Sequence, residues 1–168
     1  MNNTPYQPHG MPPFAAKAPG KNFLMVTGIL FIIFNAIGFF MTLSTIMTVD
    51  VWLWMFGGHA MRGTWMMIYG LSLLLSLLAV ALGIMGVSLC NKIQHGGMLL
   101  VVAIILMVAS ILYNIIYTAL IFNFDGLMGV GAIIGIPIGL VLPILFIIGA
   151  VKNKKAADAA PYEHRRGY

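Results

Sequence analysis

The sequence predicts an all-α fold, an integral membrane antiparallel four-helix bundle, on three observations. Four stretches, 22–49, 63–91, 93–124 and 126–151, contain no Asp, Glu, Lys or Arg, and each is longer than the roughly 20 apolar residues that cross a bilayer as a helix. The chain as a whole has a mean hydropathy of +0.99 and 8% charged residues, against about a quarter in a soluble domain. Four charged residues, Asp50, Arg62, Lys92 and Asp125, bound the intervals between the stretches. Such short connections make successive helices antiparallel neighbours.

Residues 1–21 mix Pro, Asn, Gly and Gln with few large apolar side chains, and are expected to form a disordered, Pro-rich cytoplasmic tail. This segment does not have the short basic start of a cleaved secretory signal, so the first span, about 23–47, is expected to be retained. Along that span Gly28, Phe31, Asn35, Gly38, Thr42 and Thr45 recur at alternating steps of three and four. The second span, about 65–90, repeats the rhythm with Tyr69, Ser72, Ser76, Ala79, Gly83, Gly86 and Cys90, and the third, about 98–122, with Ala103, Met107, Ser110, Asn114 and Tyr117. Small and polar seams at this spacing let helices approach closely in lipid, where apolar burial provides no drive, and they favour left-handed crossing.

The fourth span, about 131–151, has no polar side chain and carries Gly131, Gly135, Gly139 and Pro143 at steps of four. A glycine ridge of this kind favours a right-handed crossing. It is expected to pack on its own bundle, with a second copy or a different membrane protein as the other partner it fits. Pro137 and Pro143 lack N–H groups, so the carbonyls of Ile133 and Gly139 lose their usual donors. The Asn35 amide, predicted at the same depth, is expected to donate to the Gly139 carbonyl. Residues 152–168 read as a basic cytoplasmic tail.

Orientation follows from Lys and Arg, which are retained in cytoplasmic segments. Lys17, Lys21, Lys92, Lys152, Lys154, Lys155, Arg165 and Arg166 fall on one side, and Arg62 alone on the other. Both termini are therefore expected in the cytoplasm. The net charge of +5 reads as this topology signal, and a nucleic-acid interface would need a basic face that the chain lacks.

No Asp, Glu, Lys, Arg or His falls inside a predicted span, and His59 and His95 lie on opposite predicted sides. Proton relays, carboxylate pairs and metal cages in the bundle are thereby excluded, and no catalytic residue, cofactor or metal is expected. Asn35, Ser110, Asn114, Tyr113 and Tyr117 are read as interhelical glue in preference to a polar ligand pocket. In the first outer loop Trp52, Trp54 and Trp65 are expected as interfacial anchors. A soft-metal site from Met55, His59 and Met61 is the weaker reading, because methionine is abundant throughout this chain. The single cysteine, Cys90, has no internal disulfide partner and is read as a packing residue rather than an acylation site.

A Pro-rich tail and spans that end in Gly followed by Asn-Lys, as in 86–92 and 149–155, resemble small bacterial four-span membrane proteins. The resemblance implies a bacterial inner membrane and no particular activity. The expected function is non-enzymatic: an accessory, scaffold or regulatory interaction subunit, with lipid and a membrane protein or second copy as partners. An oligomeric pore or small-solute transporter, including holin-like or immunity-type roles, is the alternative.

Overall fold

A computed structural model describes residues 18–55, 61–124 and 126–159. Among them the chain is all-helical, with four long helices: α1 (Lys21–Met55), α2 (Arg62–Leu89), α3 (Gly96–Phe124) and α4 (Gly126–Ala159). A short 3-10 turn, Ile93–His95, leads into α3. The first three helices are each long and apolar enough to cross a membrane. At 1.5 Å per residue the 28 residues of α2 extend roughly 42 Å, beyond the ~30 Å hydrocarbon layer.

The helices outrun the predicted spans. Trp52, Leu53, Trp54 and Met55 complete α1, and Trp65, Met66 and Met67 lie in the first turns of α2, so most of the interval expected as an outer loop is helix. On the far side α4 continues to Ala159 and is helical through Pro137 and Pro143. The Pro-rich segment 1–17, the loop residue His59 and the terminal residues 160–168 lie outside the described residues.

α1 packs mainly on α2, and α3 on α4, with further contacts between α1 and α4 and between α2 and α3. Two apolar clusters hold this arrangement. The larger joins Leu24 and Phe31 of α1, Leu82 and Cys90 of α2, Leu99 and Ala103 of α3, and Phe146 and Ala150 of α4. The smaller, at the opposite end, is Val49, Leu53 and Trp65, supported by Tyr69, Tyr117 and Ile121.

Glycines set how closely the helices meet in the larger cluster. A methyl group built on Gly83 would lie 2.7 Å from the Gly28 carbonyl oxygen, and one on Gly28 would lie 2.8 Å from that of Gly83. The α1 and α2 backbones are therefore in direct contact, and neither position has room for a Cβ. Gly86 leaves the space taken by the Phe146 ring, which also meets Phe31 edge-on at 5.7 Å. The seam predicted for α2 is thus covered along its second half: Ala79, Gly83, Gly86 and Cys90 are all buried.

Candidate functional site

Five polar residues of the three predicted seams, Asn35, Ser72, Ser76, Ser110 and Asn114, line one cavity. It has a volume of about 590 Å³, and all four helices contribute to its wall. Asn35 comes from α1, Ser72 and Ser76 from α2, Ser110, Tyr113 and Asn114 from α3, and Gly139 and Pro143 from α4. The steps of three and four that place these side chains on one face of each helix account for the convergence. Leu75, Leu82, Leu106, Met107 and Leu142 make the rest of the wall largely apolar.

Hydrogen bonding within the site differs from the expected interhelical pairing. Asn35 Nδ2 donates to the Phe31 carbonyl one turn back on its own helix, at 2.9 Å, and not to Gly139. Asn114 Nδ2 does the same with the Ser110 carbonyl at 2.7 Å. The threonines follow suit: Thr27 donates to Phe23, and Thr45 donates to the Met41 carbonyl at 3.0 Å. The physical reason is proximity, because an i−4 carbonyl is always within reach of a helical Asn or Thr, whereas a partner on another helix must be brought there by packing. Ser72 on α2 and Tyr113 on α3 line the same cavity from facing helices. Tyr113 in turn stacks on Tyr117 with ring centroids 5.9 Å apart.

The glycine ridge of α4 is open where it is described. A Cβ added at Gly139 would meet nothing within 4 Å, and Pro137 is exposed. The surroundings of Gly131 and Gly135 lie outside the described residues. Of the three predicted anchors, Trp54 is 73% exposed, while Trp65 is buried against Val49 and Leu53 and stacks on Tyr69. The Trp52 side chain is outside the described residues. Asp50 and Arg62, on either side of the α1–α2 connection, form a two-point ion pair at 2.6 and 2.9 Å. Of the residues considered for soft-metal binding, Met55 is exposed and His59 is not described, and no group of three His, Cys, Asp or Glu converges among the described residues.

One structural residue is absent from the sequence-based expectations. Asn153, assigned there to the basic tail, is fully buried. Its Oδ1 accepts from the Gly20 N–H at 2.7 Å, and its Nδ2 donates to the Cys90 carbonyl at 3.1 Å. A single amide thus joins the start of α1, the end of α2 and α4, and a methyl group on Gly96, at the start of α3, would lie 2.9 Å from the Asn153 carbonyl carbon. The signal that identifies it is the continuation of a stripe, Leu142, Phe146, Gly149, Ala150 and Asn153, past the last apolar residue. The positive charges beside it obscure that stripe. Comparison with protein families, with curated proteins and with solved structures finds no match for this chain.

Proposed function

We propose that the protein is a non-enzymatic, four-span membrane protein acting as an accessory, scaffold or regulatory subunit through contacts with another membrane protein. In this reading α4 is the fourth span, the helices form an antiparallel up-down bundle, and both termini face the cytoplasm. The Lys and Arg asymmetry supports that orientation. So does the shared position of Gly20, Cys90 and Asn153 at one end of the helices.

The observation that carries the interaction reading is the contrast between glycines. Gly28, Gly83, Gly86 and Gly149 are closed off by neighbouring helices, whereas Gly139, like Gly38, Gly63, Gly70 and Gly97, has nothing within 4 Å of its Cβ position, and of these five it is the one on the α4 ridge. In lipid a small-residue face is a surface on which another helix can pack closely. Gly139→Leu is expected to leave the fold and its thermal midpoint unchanged, because a Cβ at this position meets no neighbour within 4 Å.

The test is native mass and chemical cross-linking after gentle extraction, comparing the parent chain with Gly139→Leu. A partner or defined oligomer bound by the parent and lost in the variant is the expected result. A homo-oligomer would direct attention to pore formation. A monomer without a cross-linked partner in both preparations would overturn the reading.

A further inference from the structure

We propose that the cavity between the two clusters binds a neutral amphiphile from the membrane, with an aliphatic body and a hydroxyl head. This goes beyond the interaction reading and rests on the cavity lining, to which Gly139 also belongs. Its volume, about 590 Å³, falls within the range of small-molecule sites. Close-packed interiors do not keep empty space of that size without losing contacts along its whole lining.

The wall selects the charge of the occupant. Among the described residues that line it there is no Asp, Glu, Lys, Arg or His, so a phosphate, carboxylate or ammonium head would have no counter-charge in a low-dielectric site. The wall also selects the polar head. Asn35 and Asn114 each commit one amide N–H to their own helix, and a primary amide retains a second N–H and a carbonyl oxygen. Across the cavity Pro143 has no N–H to give the Gly139 carbonyl, which leaves an acceptor in the α4 wall. A hydroxyl meets both requirements at once, since it donates to a carbonyl and accepts from an amide.

The opening is equally specific. Phe34 of α1 and Val141 of α4 line the cavity and are 57% and 52% exposed. The mouth therefore lies between α1 and α4, and an aliphatic chain would leave the site there and continue into the surrounding lipid.

The test uses the full chain in lipid nanodiscs with two photoreactive probes of equal chain length, a diazirine-bearing hexadecanol and the matching hexadecanoic acid. Cross-linked peptides are mapped by mass spectrometry, with unlabelled hexadecanol as competitor. The alcohol is expected to label the α2 and α3 segments that carry Ser72, Ser76, Ser110 and Asn114, and hexadecanol to displace it. The ionised acid should label them far less. Asn114→Leu and, separately, the milder Ser76→Ala should reduce this labelling by roughly three- to tenfold, the effect of losing about one hydrogen bond. Circular dichroism of each variant establishes that the helices are retained. Labelling spread evenly over lipid-facing leucines, equal labelling by alcohol and acid, or cavity labelling unchanged in both folded variants would overturn the proposal.

Discussion

At the scale of single residues, Asn153 has the largest expected effect. Replacing it with Leu strands the Gly20 N–H and the Cys90 carbonyl in a buried place, and each group left without a partner costs about 1–3 kcal/mol. A lowered midpoint in thermal unfolding in mild detergent is the check. Asn153→Asp sharpens the case. A carboxylate accepts from Gly20 but faces the Cys90 carbonyl with no proton to give, whereas the protonated acid serves both. Burial and that carbonyl raise the folded pKa of the acid above its unfolded value of about 3.9. The folded state then holds the proton more tightly, so the stability of this variant is greatest below about pH 4 and declines as pH rises through the folded value. A midpoint independent of pH relative to the parent would contradict the bond to Cys90. By contrast, Asn35→Leu should change stability by less than about 1 kcal/mol, because its bond lies within its own helix.

At the scale of elements, the α1–α2 crossing depends on bare backbone at Gly28 and Gly83. Gly83→Leu must push the helices apart, since its Cβ alone would lie 2.7 Å from the Gly28 carbonyl oxygen, and overpacking of this kind costs about 1–3 kcal/mol. Gly38→Leu, on the same seam of α1, meets nothing within 4 Å and should be tolerated. Comparing the two variants by thermal unfolding separates close packing from a general aversion to bulk in these helices. Much of this was legible in the sequence. The steps of three and four on α2 place Ala79, Gly83, Gly86 and Cys90 on the face that is buried, because helical periodicity alone determines which residues share a face. What those faces meet was not legible. The Ser and Asn positions open onto a cavity and Gly139 faces open space, outcomes that depend on how four separate seams come together. The ends were obscured for a different reason: charge marks where lipid stops, not where hydrogen-bonded backbone stops, so the helical turns at 52–55 and 152–159 and the buried Asn153 lay beyond the predicted limits.

At the scale of the whole molecule, two packed clusters flank a largely apolar cavity with a few polar groups in its wall, and the end opposite Trp65 is tied by one amide. That organisation places Gly20, Cys90 and Asn153 together and, with the charge asymmetry, motivates the four-span orientation. The exposed Asp50–Arg62 pair at the other end has little part in it. Exchanging Asp50 and Arg62 should shift stability by less than about 1 kcal/mol, as solvent-exposed ion pairs contribute little. The central claim is that α4 crosses the bilayer and returns the chain to the side of the N-terminus. Its direct test is membrane-impermeant thiol labelling in intact cells and in inverted vesicles, with single cysteines placed at Lys92, Lys155 and Gly63 in a Cys90→Ser background. Lys92→Cys and Lys155→Cys are expected to be labelled only from the cytoplasmic face and Gly63→Cys only from outside; labelling of Lys155→Cys from outside would show that α4 does not cross.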